Sequence, residues 1–348
     1  MTELPGHMTA QAGLITAGPG PAVSDDSIVA PGLIDLQING GWGHDFTSDP
    51  GSIWEVGRRL PETGVTTFLP TIVSAPYRVA EAAIAVLASG PPEGYRGAEP
   101  LGLHIEGPWI SPQWKGAHNE EYLRAPDPAV AREWAESGLV RMVTIAPELE
   151  TAFETAEILD TAGVVVSAGH SGADFDTAAD GLSGPWSAVT HLFNQMSPFH
   201  HRAPGLVGAA LLSDRPCGLI ADGVHVHPAA IRLVWEVLGP ERLVLVTDAM
   251  AAAGLGVGTH RLGDLEVNVG PDGPRISGTL AGSTLALGAA VENLARWADT
   301  DNPPLNSASA IPAALVGATD RGRLDPGMRA DVVVLDRLLQ VKETWVAG

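Results

Sequence analysis

The chain has 348 residues, of which 45% are hydrophobic, and its formal net charge at pH 7 is −21. This length allows a full buried core, and such a negative charge argues against nucleic acid as a partner. A single cysteine, Cys217, excludes a disulfide framework and is typical of a reducing compartment. No apolar run approaches about 20 residues and the N-terminus has no basic-then-apolar signal pattern, so we expect a cytoplasmic protein without a membrane partner.

Eight short apolar runs follow one another along the chain. They have no polar alternation, which is typical of strands buried on both faces of a parallel sheet. The runs lie at 30–38, 65–73, 100–106, 139–146, 163–169, 188–193, 217–222 and 243–248. Helix-like stretches separate most of them, for example 52–62, 76–88, 127–137, 151–162 and 229–238. This alternation predicts an α/β fold closed into a (β/α)8 TIM barrel.

The sequence patterns at the two ends of the chain differ from those of the predicted barrel. After the eighth run, helices are expected at 283–299 and 307–317, with Ser283 as the N-cap of the first. The runs at 330–336 and 341–348 predict a β-hairpin, whereas residues before 30 are only weakly patterned. We therefore expect three parts, which are an N-terminal part of a small β domain at 1–29, a hydrolase barrel at 30–329, and the C-terminal part of the small β domain at 330–348.

Polar side chains end several of the predicted barrel strands. Glu106 ends the third run, His170 and His191 follow or end the fifth and sixth, and Asp248 ends the eighth. Buried carboxylates and imidazoles are costly unless paired, so their repetition at one end of a barrel predicts one shared site. Two imidazoles and a carboxylate suit a divalent ion such as Zn²⁺, and a further carboxylate can move a proton.

Several of these residues also have a purely structural interpretation. Glu106 could be a salt-bridged carboxylate, and Asp248 could hydrogen-bond at the N-terminus of the following helix. His118 lies in a loop containing glycine and proline, from which it could reach a substrate carbonyl, although loop histidines are commonly only solvated.

Three more groups are candidates for substrate binding. Asp222, His225 and His227 follow the seventh run, where one can orient substrate and at least one histidine can instead cap the next turn. The His-His-Arg segment 200–202 is the cationic cluster of the expected active-site loops, and arginine suits bidentate phosphate contact. A solvated charge run is the alternative. The small-residue loop 279–285 offers backbone donors for a sugar or acyl group.

Seven motifs occur in chain order, PGLIDLQINGGWGHDF, GLHIEGPWISPQWKGAHN, SAGHSGA, THLFNQM, IADGVHVHP, LVTDAMAAAG and GTLAGSTL. Together they resemble the N-acetylglucosamine-6-phosphate deacetylases of the amidohydrolase superfamily, from about Pro31 to Asp336. The resemblance implies a distorted (β/α)8 barrel with a small β-sandwich formed by the two chain ends. It also implies hydrolysis of the N-acetyl group of a sugar 6-phosphate.

The same resemblance implies residue roles. Glu106, His170 and His191 would hold one divalent metal ion per subunit, expected to be Zn²⁺, with Fe²⁺, Mn²⁺ or Co²⁺ as alternatives. Asp248 would be the catalytic acid and base, and His118 would polarise the acetyl carbonyl. The family's substrate-contacting positions match Ala117, His118, Asn194, Gln195, Arg202, Asp222, His225, Leu280, Ala281 and Gly282. Arg202 and His225 correspond to phosphate-site residues, with the arginine reaching across the interface of a homodimer.

Three features depart from the family or superfamily pattern. Gln37 and Asn39 stand where many superfamily members have a His-x-His pair and bind a second ion, so we expect vestigial second-metal positions and a single metal. Gln195 stands where the family usually has a small residue, which could narrow the sugar pocket or change substrate preference. Fewer residues precede Pro31 than the family usually has, so a truncated N-terminal share of the β-sandwich is expected.

The resemblance therefore predicts a deacetylase that converts N-acetyl-D-glucosamine 6-phosphate to D-glucosamine 6-phosphate and acetate, with this small amino-sugar phosphate as its partner. An alternative is the same chemistry on another acetamido sugar, such as N-acetylgalactosamine 6-phosphate or an unphosphorylated N-acetylhexosamine. An inactive sugar-binding regulatory barrel is a different class, and it would be expected to have lost some ligands or Asp248. A cyclic-amide hydrolase or deaminase is disfavoured by HIEGPW followed by the KGAHN loop.

Overall fold

The architecture is that of a computed structural model, which describes residues 2–4, 8–17, 27–300 and 302–348. Residues 1, 5–7 and 18–26 of the predicted N-terminal part lie outside the described residues. In chain order the strands are β1 Thr2–Leu4, β2 Met8–Gln11, β3 Leu14–Ala17, β4 Ser27–Pro31, β5 Leu33–Ile38, β6 Gly40–Gly41, β7 His44–Asp45, β8 Val65–Val73, β9 Glu99–Pro100, β10 Leu103–Glu106, β11 Val140–Ile145, β12 Val165–Ala168, β13 Ala188–Val189, β14 Cys217–Leu219, β15 Leu243–Leu245, β16 Gly258–Leu262, β17 Leu265–Gly270, β18 Gly273–Ile276, β19 Thr279–Leu280, β20 Val332–Asp336 and β21 Val341–Trp345.

Helices alternate with the strands of the central sheet. They are α1 Ile53–Arg59, α2 Tyr77–Ala88, α3 Pro128–Glu136, α4 Ala152–Thr161, α5 Phe175–Ser183, α6 Gly205–Leu212, α7 Pro228–Leu238, α8 Leu287–Ala298 and α9 Ala310–Leu315. Capping explains where several begin. Asp127 accepts the backbone N–H of Ala129 at 2.9 Å ahead of α3, and Asp174 accepts that of Thr177 at 2.9 Å ahead of α5.

The central sheet is a parallel barrel. Its neighbours follow the order β5-β8-β10-β11-β12-β13-β14-β15, with β9 beside β8. Backbone hydrogen bonds close it just after β15, where Asp248 N donates to Gln37 O at 2.8 Å and Asn39 N donates to Ala249 O at 2.7 Å. Since α1 to α7 each connect consecutive barrel strands and α8 follows β15, the (β/α)8 prediction is confirmed.

The interior of the barrel is apolar towards the N-terminal ends of the strands. Side chains such as Ile34, Leu69 and Val244 are buried there, and Ala313 of α9 packs into the same cluster. Above them lies a polar layer that includes His104, whose Nε2 is 2.8 Å from Thr144 Oγ1. This layering leaves the carboxyl ends of the strands as the part of the barrel where polar side chains can meet a ligand.

Ser283 does not cap α8, so that prediction was wrong. The N-cap of α8 is Ala286. The Ser283 hydroxyl instead donates to Thr247 O at 2.5 Å and accepts from Leu285 N at 3.0 Å. The serine therefore ties the loop before α8 to the end of the eighth barrel strand.

Antiparallel sheets formed by both ends of the chain accompany the barrel. The predicted hairpin is present as β20 and β21, and β4 pairs with the other edge of β20. β1, β2 and β3 form a second sheet, which is tied to the segment that leads into β20 by Ile15 N donating to Met328 O at 2.8 Å. The small sheet domain is confirmed, while the domain boundaries at 29/30 and 329/330 stay predictions.

An inserted four-stranded antiparallel sheet, β16 to β19, comes between β15 and α8 and was not predicted. It packs over the carboxyl ends of the strands, with Leu262 and Val267 clustered against Val73 and Met250. Asn119 Nδ2 also donates to Asp264 Oδ2 at 2.9 Å. The sheet therefore forms part of the wall above the barrel.

Among the described residues, no helix combines the length and the apolar character that crossing a bilayer requires.

Candidate active site

Three predicted metal ligands meet at the carboxyl ends of the barrel strands. Glu106 ends β10, while His170 and His191 follow β12 and β13. Glu106 Oε1 lies 3.1 Å from His170 Nε2 and 3.0 Å from His191 Nε2, and the two imidazole nitrogens are 3.1 Å apart. All three side chains are buried.

The hydrogen bond on the far side of His170 shows what this cluster can hold. His170 Nδ1 lies 2.9 Å from the Trp114 carbonyl oxygen, which can only accept, so the neutral ring carries its proton on Nδ1. Its Nε2 then presents a lone pair towards the His191 ring nitrogen and the Glu106 carboxylate. Such electron-rich atoms repel one another unless a cation lies between them, and two imidazoles with one carboxylate form a donor set typical of Zn²⁺.

The backbone at these positions is unusual. His170, His191 and Asp248 have φ values of 49°, 23° and 49°, in the left-handed region that non-glycine residues rarely adopt. Each such residue costs on the order of 1 kcal/mol or more, and such costs persist mainly where function requires the geometry. Three of them, each two or three residues after the end of a barrel strand, support a functional site at this end of the barrel.

His118 lies beside the cluster with its proton facing inwards. Its Nδ1 accepts the backbone N–H of Ser74 at 3.2 Å and lies 2.7 Å from the Ser74 hydroxyl. Because a backbone N–H can only donate, the neutral ring carries its proton on Nε2, which lies 3.9 Å from Glu106 Oε2. Burial, assisted by the nearby His170, lowers the pKa of His118 to about 3. The imidazole is therefore a neutral hydrogen-bond donor at neutral pH.

Asp248 stands on the other side of the cluster and is held by two amides. Its Oδ1 accepts from Asn39 Nδ2 at 2.7 Å and from Gln37 Nε2 at 3.3 Å. Gln37 Nε2 also donates to Glu106 Oε1 at 3.0 Å. Gln37 and Asn39, which were expected to be vestigial second-metal positions, thus orient the carboxylates of Glu106 and Asp248. Burial and the charge of Glu106 raise the pKa of Asp248 to about 6, so this carboxylate can exchange a proton near neutral pH.

Glu106 and His191 share a strong electrostatic interaction. Burial alone would raise the pKa of Glu106, but hydrogen bonds and positive charge from the protonated forms of His170 and His191 outweigh it and hold that pKa well below its usual value. Burial lowers the pKa of His191, yet the hydrogen bond to Glu106 raises it overall. Without a cation, Glu106 therefore remains ionised and favours a proton on His191, which a metal ion would displace.

These groups line a cavity of about 230 Å³ between the barrel and the inserted sheet. The predicted site residues that it brings together are Glu106, Ala117, His118, His170, His191, Asn194, Gln195, His225, Asp248, Leu280 and Gly282, with Asn39 among its walls. The volume is below the roughly 300–1,000 Å³ of sites for drug-sized ligands, so it suits a small metabolite.

A family model described as the amidohydrolase family matches residues 28–348. The chain belongs to the amidohydrolase family. Human N-acetylglucosamine-6-phosphate deacetylase is 43% identical over 343 residues, which cover 92% of this chain and 82% of that protein. N-acetylgalactosamine-6-phosphate deacetylase of Escherichia coli O157:H7 is 39% identical, with 93% of this chain and 88% of that protein covered.

A solved structure extends this similarity to the folded chain. It is a mutant N-acetyl-D-glucosamine-6-phosphate deacetylase from Mycobacterium smegmatis in complex with N-acetyl-D-glucosamine 6-phosphate. The TM-score is 0.87 at 33% sequence identity, and the match covers 97% of this chain and 92% of the other.

Other predicted substrate residues of this amidohydrolase do not line the cavity within one chain. Asp222 lies behind His225, whose Nδ1 is 2.6 Å from Asp222 Oδ2. Ala281 is fully buried, and its N–H donates to Pro274 O at 3.1 Å. Arg202 is exposed, with its Nη1 2.8 Å from His201 Nε2.

In the loop after the seventh barrel strand, His227 does not line the cavity and has a structural role instead. His227 accepts the backbone N–H of Ala229 at 3.1 Å and is the N-cap of α7. His225 is the histidine of this loop that faces the cavity. The alternative in which one histidine caps the turn therefore holds for His227.

Some contributors to this amidohydrolase site were missed. Ser74 and the Trp114 carbonyl position His118 and His170, while Leu262 and Arg275 of the inserted sheet line the cavity. The alternating sequence LEVNV before Pro-Asp-Gly is a hairpin signal that could have revealed this sheet.

A larger cavity of about 890 Å³ lies at the opposite end of the amidohydrolase barrel. It is lined by residues that precede the third and fourth barrel strands, such as Gly97, Leu101 and Leu139, and by β21. Among the described residues, the cluster of histidine and acidic side chains able to hold a metal is Glu106, His170 and His191. We therefore assign the chemistry to the smaller cavity.

Proposed function

We propose that this chain hydrolyses the N-acetyl group of N-acetyl-D-glucosamine 6-phosphate, giving D-glucosamine 6-phosphate and acetate. The observation that carries the proposal is the buried cluster of Glu106, His170 and His191 between a neutral hydrogen-bond donor, His118, and a titratable carboxylate, Asp248. Relatives that carry this activity in their names, including the human enzyme at 43% identity, support the choice of substrate.

Glu106, His170 and His191 would hold one divalent cation, for which Zn²⁺ is the first choice because of its preference for imidazole and carboxylate ligands. When bound, the ion would supply Lewis-acid chemistry at the amide. The amides of Gln37 and Asn39 donate hydrogen bonds to carboxylates instead of offering imidazole lone pairs. This arrangement supports a single ion per chain.

Two residues of the chain would move or donate protons during the reaction. His118 would donate a hydrogen bond from Nε2 to the acetyl carbonyl oxygen, and this bond strengthens as negative charge develops on that oxygen. Asp248 would accept a proton as water adds to the carbonyl carbon. It would then return that proton to the sugar nitrogen as the carbon–nitrogen bond breaks, which releases acetate and the free amine. Gln37 and Asn39 keep the Asp248 carboxylate in position.

The walls of the cavity would select the sugar. Gln195 lies beside Gly116, because a Cβ at Gly116 would be only 2.7 Å from Gln195 Cδ. The Gln195 side chain, which is longer than the small residue usual at this position in the family, is thus accommodated against the loop that carries Ala117 and His118. N-acetylgalactosamine 6-phosphate is a second candidate substrate, since the Escherichia coli enzyme for that epimer is 39% identical. Both sugars carry the same acetamide and the same phosphate.

We further propose a homodimer in which Arg202 serves the cavity of the neighbouring subunit. Within one chain Arg202 is exposed and does not line its own cavity. Exposed apolar side chains lie nearby in sequence, with Phe199 at 55% and Leu212 at 78% relative exposure. An intersubunit contact would cover apolar surface of this kind.

The proposal is tested by measuring acetate release from metal-saturated protein. The panel contains N-acetylglucosamine, N-acetylgalactosamine and the 6-phosphates of both. We expect release from a 6-phosphate, with the glucosamine epimer preferred, and none from a Glu106→Gln variant, which lacks a ligand. Preference for the galactosamine epimer would select the second candidate. Absence of acetate from every sugar would refute a deacetylase.

A further inference from the structure

Arg275 places a positive charge in the wall of the active-site cavity. It lies on β18 of the inserted sheet, opposite Leu280 of β19 in the strand register. Among the described residues that line the cavity, it is the one whose side chain is permanently cationic. Because the chain has a net charge of −21, an anionic group entering this cavity needs a local cation to offset the surrounding field.

The Arg275 guanidinium is oriented but not neutralised. Nη1 donates to Gly278 O at 2.7 Å and Nη2 donates to Asp272 O at 3.4 Å. These bonds use two of the five N–H donors of a guanidinium, so three remain for a ligand. Within the described part of the chain, no carboxylate forms an ion pair with Arg275. An oriented, uncompensated guanidinium at a cavity wall is suited to bidentate recognition of an anion.

Contacts of the inserted sheet place Arg275 at the end of the cavity that contains His225. A Cβ at Gly273, the first residue of β18, would lie 3.5 Å from Val224 Cγ1, so the strand approaches the loop that carries His225. The Nδ1 of His225 is 2.6 Å from Asp222 Oδ2, which leaves Nε2 for a ligand. Arg275 and His225 both line the cavity.

We propose that Arg275 binds the 6-phosphate of the sugar from within the same chain, together with His225. This inference rests on the proposed function and adds a phosphate-binding residue to it. Arg202 does not line the cavity of its own chain, so the phosphate would be held by one arginine in cis whether or not a partner supplies a second. The inserted sheet would then be a specificity element of the site as well as its cover.

The test compares Arg275→Gln and Arg275→Lys with a matched control, Arg261→Gln. Arg261 belongs to the same inserted sheet and donates to Asp264 O at 3.0 Å, but it does not line the cavity. For Arg275→Gln we expect KM for the 6-phosphate to rise about 10- to 100-fold, as expected on losing a charge-assisted pair. The value of kcat should change little, KM for the unphosphorylated sugar should stay constant, and lysine should restore part of the loss.

Other outcomes would decide against the inference. An unchanged KM for the 6-phosphate, or equal losses on both sugars with a matching loss in Arg261→Gln, would overturn it. If the wild-type protein deacetylates neither sugar, the proposed function fails independently. In that case calorimetric binding of inorganic phosphate still tests Arg275. Weaker binding by Arg275→Gln than by Arg261→Gln would support the anion site, and equal binding would refute it.

Discussion

Replacing Asp248 with asparagine separates proton transfer from metal binding. The substitution preserves shape, and an asparagine Oδ1 can still accept from the amides of Asn39 and Gln37, which lie 2.7 and 3.3 Å from the present oxygen. The amide cannot take a proton from water. General acid–base catalysis contributes about 10²- to 10⁴-fold, so we expect kcat to fall by at least about 10²-fold while metal content remains normal.

The pH dependence of kcat/KM provides a second quantitative prediction. A carboxylate with a pKa of about 6 is about nine tenths ionised at pH 7 and about one tenth ionised at pH 5. In the wild-type enzyme, kcat/KM should therefore fall by up to about tenfold between pH 7 and pH 5, because the protonated carboxyl cannot act as a base. A divalent cation beside Glu106 would lower this pKa, so the acidic limb should lie at or below about pH 6.

The assay is acetate release between pH 4.5 and 8, with elemental analysis of the same samples. The Asp248→Asn variant should retain metal and lose the acidic limb attributed to Asp248. Turnover within tenfold of wild type, or an identical acidic limb in the variant, would refute the proton-transfer role. Loss of metal would show that Asp248 is a ligand.

Three further predictions concern metal, stability and the subunit interface. Glu106→Gln removes the anionic ligand, so elemental analysis should show less than the wild type's expected one ion per chain, and unchanged metal content would exclude Glu106 as a ligand. Burial raises the pKa of Asp35 to about 7 from 3.8, so the native state keeps a proton that the unfolded state releases. The stabilising contribution of this carboxyl should be complete below pH 3.8 and be lost as pH rises to about 7, and Asp35→Asn should remove up to about 4 kcal/mol of this pH dependence, measured by denaturant unfolding from pH 4 to 8. Arg202→Ala should reduce kcat/KM for the 6-phosphate about 10- to 100-fold. Mixing it with Glu106→Gln should restore activity in heterodimers, whereas no restoration would contradict a shared site.

The sequence was most informative where geometry follows from strand direction. Parallel strands bring their carboxyl ends together, so Glu106, His170 and His191 could be assigned to one site although they are far apart in the chain. In the structure their ligand atoms lie within 3.1 Å of one another. The same argument predicted that Asp248 lies at this end of the barrel.

Contacts that depend on the backbone could not be predicted in this way. The Trp114 carbonyl that fixes His170 could be supplied by any residue type, and Ser74 uses its N–H as well as its hydroxyl. Ser283 resembled a helix cap, but the end of the eighth strand offered it a buried acceptor instead. Arg275 lies on the inserted sheet, so the direction of its side chain depends on how that sheet packs on the barrel.

The pairing of β4 with β20 has a consequence for how the protein is made. The two strands are adjacent in the folded molecule, but about 300 residues separate them in the chain. At roughly 5–20 residues per second, a ribosome needs on the order of 15–60 s to synthesise that interval. During this time β4 exposes an unpaired edge, and β5 cannot complete the barrel until residues 248 and 249 have emerged. A nascent chain stalled before β20 should therefore already contain all of the residues assigned to the active site while remaining open to aggregation or chaperone binding.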